Sequence, residues 1–141
     1  MPIQRAHSPA DLARCLALRE QVFVVEQGVP RDLELDDKDA LCTHFLAVDG
    51  DTDAGTARLL PLDATTAKAQ RVAVIASQRK NGVGRALMAA LEAEARKQGR
   101  VVVVLSSQVS AIPFYERLGY RAHGDIYDDA GIPHRDMSKR L

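Results

Sequence analysis

The stretch QRKNGVGRALMAALEAEARKQG, Gln78 to Gly99, decides how the fold is read. Its second part repeats Val83, Leu87, Leu91 and Ala95 one helical turn apart, which predicts a helix over about Val83 to Lys97. Glu92 and Arg96 are spaced to pair on its surface, and Gly99 is the expected stop. Its first part sets Gly82 and Gly84 among Arg79, Lys80 and Arg85. Glycine permits a backbone that other residues strain, and it lets an anion approach the main chain. The helix that follows presents unpaired N–H groups and a dipole worth roughly half a positive charge. A phosphate or pyrophosphate is the natural ligand of such a turn. The same residues also suit a plain strand–turn–helix connection with glycines for a sharp bend. The stretch is neither G-x-x-x-x-G-K-[ST] nor G-x-G-x-x-G, since Ala86 and Leu87 follow Arg85.

Working outward, Ile3 to Ala6 reads as a short strand. Ser8 as N-cap, Pro9 at the first helical position and Asp11 three residues after the cap open a helix expected to reach about Val24. Leu12, Leu16, Arg19 and Phe23 share one side of it, with Cys15, Leu18 and Val22 widening the apolar stripe; Gly28 and Pro30 end it. PRDLELDDKDA is an acidic loop or short helical turn. THFLAV and GTARLLPL form a hairpin about DGDTDAG, and KAQRVAVI is a third strand. After the long helix, VVVVL suits a central strand buried on both faces. A short helix, IPFYERLG, and two closing strands, YRAHGDIY and PHRDMSKRL, complete an α/β order that predicts a mixed sheet with helices on both faces.

The bulk properties narrow the function classes. The 141 residues fit one domain with a full core. Nineteen basic residues balance 19 acidic ones, which argues against a general nucleic-acid or membrane-surface binder. MPIQRAHSPADLARC has no apolar signal region, and no run approaches the roughly 18 residues of a membrane span, so a cytoplasmic protein is expected. Cys15 and Cys42 lack metal-site spacing and read as reduced, buried side chains; no metal is expected.

Taken together, RVAV, RKNGVGRALM, VVVVL and AIPFYERLGYRAHG resemble the GNAT N-acetyltransferase superfamily. One signature, [QR]-x-x-G-x-[GA] at the head of a helix, is met by Arg79, Lys80, Asn81, Gly82, Val83 and Gly84. A second, F-Y-E-x-x-G-[FY], is met by Phe114, Tyr115, Glu116, Gly119 and Tyr120. More narrowly, LREQVFVVEQGVPRDLELDDKDALCTHFLAV and GIPHRDM resemble the small bacterial ElaA/YjcF-like branch.

The resemblance implies a GNAT fold, one N-acetyltransferase domain over residues 1–141, and direct acyl transfer from acetyl-CoA to a primary amine of a small acceptor. Main-chain groups of Val72, Ala73 and Val74 would hold the pantetheine arm of coenzyme A, and the N–H groups of Lys80 to Arg85 its pyrophosphate. An N–H near Val74 would polarise the thioester carbonyl. Tyr115 matches the family tyrosine that donates to the leaving sulfur; its other reading is a core tyrosine. Many relatives place an Asn before that helix; here Gln108 or Ser110 would replace its contact with the cofactor. The resemblance implies a monomer or a homodimer, dimers being common among relatives.

The general base stays open among Glu26, Glu34, Asp36, His44 and His134, or a water chain. Carboxylates of EQGVPRDLELDD would draw in a cationic amine, whereas Asp37 and Asp39 read as solvated. His44 reads as structural more readily than as a base, and His7 and His123 have no supporting context. Arg19, on an apolar helix side, is expected to pair with Glu34 or Asp36 or to line a pocket, and Arg58 to contact substrate. A non-catalytic acyl-CoA-binding module is the competing function. Acyl-homoserine-lactone synthesis fits less well, because REQVF meets that family's R-x-x-V-F start only with a shifted arginine.

Overall fold

A computed structural model describes residues 2–141. The order is β1 (Ile3–Arg5), α1 (Pro9–Arg19), α2 (Arg31–Glu34), β2 (Thr43–Asp49), β3 (Thr52–Pro61), β4 (Thr66–Val74), α3 (Val83–Lys97), β5 (Val102–Gln108), α4 (Ile112–Arg117), β6 (Arg121–Asp129) and β7 (Ile132–Arg140). Seven strands form one sheet in the order β1-β2-β3-β4-β5-β7-β6. Only β4 and β5 pair in parallel; the other neighbours are antiparallel.

Helix α3 has the bounds that its apolar repeat predicts. It buries Val83, Leu87, Met88, Leu91 and Ala95 against Phe45, Ala57, Leu59, Ala69, Val103 and Leu105 on one sheet face. Glu92 comes within 3.9 Å of Arg96, as expected, but its nearer partners are Lys139 Nζ and the Tyr120 hydroxyl, each at 2.8 Å. Tyr120 is thus tied into the core.

Helix α1 covers the opposite face, where Cys15 and Leu18 meet Leu46 and Ile75. Ser8 caps it by accepting from the Asp11 N–H at 3.1 Å. Its buried stripe runs through Cys15, Leu18, Arg19 and Val22, while Leu12 and Leu16 are half-buried, a shift from the expected centre. The α-helical hydrogen bonding stops at Arg19, and a wider π-helical segment carries the chain over Glu20–Glu26. The Gln27 N–H donates five residues back to the Val22 carbonyl at 3.1 Å.

Strand β5 differs from its expected double burial. Val103 and Leu105 are buried under α3 and α4, whereas Val102, Val104 and Ser106 on the other face are half-buried. Helix α1 lies over β2, β3 and β4 and stops short of β5. Cys15 is buried and Cys42 is half-buried; both are free thiols.

Candidate active site

The site begins with a change of register in β4. Thr56 on β3 stands opposite Ala73, and Arg58 stands opposite Gln70. Arg71 and Val72 therefore oppose the single residue Ala57, which is a β-bulge. Arg71 takes the left-handed backbone, φ 54°. Its guanidinium steadies that conformation by donating to the Glu34 carbonyl at 3.1 Å and to Asp36 at 3.4 Å.

Beyond the bulge the sheet opens. Strands β4 and β5 pair from Thr66 and Val102 to Ala69 and Leu105, and no further. β4 continues to Val74 and β5 to Gln108 with a gap between them. The gap is a cleft of about 380 Å³. Its walls include Ala69 to Val74, Leu105 to Gln108 and Tyr115, with Phe23, Leu33 and Glu34 on one side and Asp129, Ile132 and His134 on another. The Ile75 N–H donates to the Ala54 carbonyl of β3 at 3.0 Å, so the Val74 N–H, one residue earlier, points the other way, into the cleft. The Val74 carbonyl shares that direction and accepts from Arg79 Nε at 3.0 Å.

The glycine loop follows at one end of the cleft. Lys80 (φ 70°) and Gly82 (φ 80°) both take left-handed backbone around Asn81. The first helical bond of α3 joins the Ala86 N–H to the Gly82 carbonyl, which leaves the amides of Val83, Gly84 and Arg85 without helical acceptors. These amides form a concave donor surface suited to an anion. Lys80, Asn81 and Arg85 expose their side chains there. Gly84 has an additional role: a Cβ at that position would come within 3.1 Å of the Phe114 ring. Its lack of a side chain lets α4, which also carries Tyr115, pack against α3.

Tyr115 is 9% exposed and lines the cleft. Burial alone pushes its phenol above the ordinary value. Its ring meets Phe114 and Tyr120 edge-on, at centroid distances of 4.9 and 5.9 Å. Gln108 Nε2 donates to Gln27 Oε1 at 2.8 Å, joining β5 to the end of the π-helical segment across the cleft. Ser110 is exposed.

The candidate bases stand in different surroundings. Glu26 is exposed and paired with Arg79 at 2.6 and 2.7 Å; those bonds hold its carboxyl below the ordinary range. Glu34 is buried against the Arg19 guanidinium, with Arg71 Nε at 3.6 Å. His44 Nε2 lies 2.8 Å from the Asp39 carbonyl, and His44 is not part of the cleft wall. His134 lies in the wall, with Nδ1 2.7 Å from the Ile132 carbonyl. A carbonyl only accepts, so Nδ1 carries a proton, and in the tautomer that this bond selects the lone pair is on Nε2.

A buried ionic network lies behind the bulge and changes how the acidic loop is understood. Arg19 bonds Glu34, as expected, and Asp39 at 2.8 Å. Arg58 bonds Asp36 at 2.8 Å, Asp39 at 2.7 Å and Gln70 Oε1 at 2.8 Å. Asp39, expected in solvent, is thus drawn into the network, whereas Asp37 is exposed. Arg58, expected on the substrate, is 1% exposed and absent from the cleft wall. Glu34, Asp36 and Asp39 are neutralised by Arg19, Arg58 and Arg71, so these three carboxylates are not free to meet an amine, and the exposed Asp32 and Asp37 lie outside the cleft wall.

The sequence reading missed Arg71, Lys68 and Gln27 as cleft residues. The signal for Arg71 was present: Thr66, Lys68 and Gln70 alternate with Ala67 and Ala69, and Arg71 breaks that alternation. Among the described residues no helix is long and apolar enough to cross a membrane, and no cluster of three or more His, Cys, Asp or Glu is suited to a metal.

Comparison with known proteins places this geometry. The family model described as Acetyltransferase (GNAT) domain matches residues 17–141. YjcF of Bacillus subtilis strain 168, an uncharacterized N-acetyltransferase, is 37% identical over 135 residues, covering 95% of this chain and 96% of YjcF. The crystal structure of Escherichia coli ElaA superposes with a TM-score of 0.86 at 30% identity, covering 99% of each chain. An aminoglycoside 6'-N-acetyltransferase complexed with coenzyme A shares the fold, with a TM-score of 0.78 at 20% identity over 99% of this chain and 97% of that one. The chain belongs to the GNAT acetyltransferase family, in its ElaA/YjcF-like branch.

Proposed function

We propose that residues 1–141 act as one N-acetyltransferase domain that moves an acetyl group directly from acetyl-CoA to a primary amine of a small acceptor. The observation that carries this reading is the opened β4 edge, which leads from the inward Val74 N–H to the unpaired amides at the start of α3. An extended thioester arm fits the edge, and a pyrophosphate fits the amides. Coenzyme A is present in the aminoglycoside acetyltransferase of the same fold, which supports that fit.

The thioester supplies the activated acetyl group. Val72, Ala73 and Val74 hold its arm by main-chain bonds, and Gln108 closes the other wall once it leaves Gln27. The Val74 N–H donates to the carbonyl oxygen as charge develops there. The Tyr115 hydroxyl donates to the departing sulfur. A C–N bond forms, the C–S bond breaks, the amine loses one proton and the thiolate gains one. We assign the amine's proton to His134 Nε2, whose lone pair is fixed by the Ile132 carbonyl, rather than to Glu26 or Glu34, which arginines hold. Arg79, Lys80, Asn81, Gly82, Val83, Gly84 and Arg85 bind the phosphates, with Arg79 first leaving Glu26.

Calorimetric titration with acetyl-CoA, CoA and desulfo-CoA is the direct test, followed by CoA release across an amine panel. Micromolar binding of all three with turnover of an amine is expected. Binding without release would support a non-catalytic acyl-CoA module, and no binding by a folded sample would overturn the proposal. Gly82→Val separates the loop from the fold. Nothing lies within 4 Å of the new Cβ, but φ +80° is strained for a β-branched residue. Acetyl-CoA affinity should fall at least about tenfold while the protein stays folded, at a stability cost of about 1–3 kcal/mol. Gly84→Ala should instead disturb α4 through Phe114.

A further inference from the structure

The charged groups of the cleft point to the acceptor's chemistry. Glu34, Arg71 and Arg79 line it, but each is held in an ion pair. Lys68 and Asp129 also line it, and neither has a salt-bridge partner among the described residues. Lys68 is half-buried near the closed end, opposite Val104 and two residues before Gln70 on the same strand face. Asp129 is at the open end, where β6 and β7 turn; it stands opposite Ile132, whose carbonyl fixes His134. His134 in turn stands opposite Gln108, the last residue of β5. The other nearby carboxylate, Asp136, accepts from the Tyr127 hydroxyl at 2.6 Å, and Tyr127 also bonds Ser106.

One end of the cleft thus holds a cation without a counter-ion, and the other holds an anion beside an imidazole lone pair. A half-buried ammonium with no partner gains from an anionic ligand far more than an exposed one does. We infer that the acceptor is an amino-carboxylate: its carboxylate docks on Lys68 at the closed end, and its amine lies by Asp129 and His134 at the open end. This rests on the acetyltransferase reading above and adds the acceptor's class. Asp129 draws in the ammonium form, which gives one proton to solvent before attack, and His134 Nε2 takes the second as the C–N bond forms.

The test uses matched pairs on the intact chain: glycine with methylamine, 3-aminopropanoate with ethylamine, 4-aminobutanoate with propylamine, and lysine with 1,5-diaminopentane. The best amino acid should exceed its plain amine in kcat/KM by at least about tenfold, the scale of one charge-assisted hydrogen bond. Lys68→Gln should remove that preference, Lys68→Arg should keep most of it, and acetyl-CoA affinity should not move. Equal or better use of plain amines or diamines would overturn the inference while leaving acetyl transfer intact, as would a preference that survives Lys68→Gln. A binding measurement on the CoA-saturated protein keeps the two readings separable. Amino-acid binding that Lys68→Gln abolishes, without turnover of any amine, would uphold the acceptor site and remove the catalytic reading. Absence of amino-acid binding together with absence of turnover would remove both.

Discussion

Replacing Arg58 with methionine is expected to destabilise the protein by about 2–4 kcal/mol, from the loss of charge-assisted bonds to two carboxylates that keep only part of their partners. Arg58 is almost wholly buried and bridges Asp36, Asp39 and Gln70. Methionine replaces its bulk but none of its donors. Asp39 would keep Arg19, while Asp36 would keep Arg71 at 3.4 Å and the Lys38 N–H at 3.1 Å. The loss is a large share of the 5–15 kcal/mol typical of a domain. Urea unfolding reads it as a lower midpoint at unchanged slope. Arg58→Lys, which keeps the charge but not the planar fork, should fall between the two and stay folded. A change within about 1 kcal/mol for the methionine variant would mean that the network contributes little beyond its own desolvation.

The same network predicts an acid limb. Bonds from Arg58 hold the Asp36 carboxyl well below its ordinary range. A carboxylate depressed in the folded state contributes stability that is complete above its unfolded pKa of about 3.9 and is lost as pH falls towards the folded value. Wild-type stability should therefore decline below about pH 4, and Arg58→Met should decline less steeply there.

This network also shows where reading the sequence succeeds and where it stops. The apolar repeat of α3 and its Gly99 stop depend on neighbours in the chain, so Val83–Lys97 is legible without coordinates. Arg19 on an apolar helix side correctly asks for a carboxylate, since a buried guanidinium needs one. What local pattern does not carry is long-range pairing. Asp39 lies in a run of exposed acidic residues, and only β3 and α1 bring Arg58 and Arg19 to it. The π-helical segment after Arg19 escapes because its hydrogen bonds widen while the apolar residues continue. The cleft escapes most completely: it follows from the two-for-one bulge at Arg71, and VVVVL reads the same whether or not a helix covers both of its faces. For the site, the glycine loop, Tyr115, Gln108 and His134 are legible as residues. That Arg79 faces Glu26, Gln108 faces Gln27 and Lys68 has no salt-bridge partner among the described residues depends on elements far apart in sequence.

Changing Tyr115 to phenylalanine should lower kcat about a hundredfold or more, in the range of one acid–base group, with acetyl-CoA affinity unchanged. Burial raises its phenol, and no group among the described residues hydrogen-bonds its hydroxyl, so removing the oxygen breaks no bond seen in the fold. Thermal stability should therefore hold or rise, because a hydroxyl in an apolar wall costs desolvation. Burial raises the phenol above its ordinary pKa of about 10, so it remains protonated and able to donate at every working pH. The rate should show no basic limb from Tyr115 below about pH 10. Tyr120→Phe is the matched control. Its hydroxyl bonds buried Glu92 at 2.8 Å, so that variant should lose about 1–3 kcal/mol of stability and keep kcat. The two phenols are neighbours in one aromatic cluster, so a packing effect would strike both, whereas proton donation to sulfur strikes only Tyr115. A single-turnover measurement isolates the chemical step from product release. An unchanged single-turnover rate in Tyr115→Phe would return Tyr115 to the core and leave the leaving thiolate to be protonated by water.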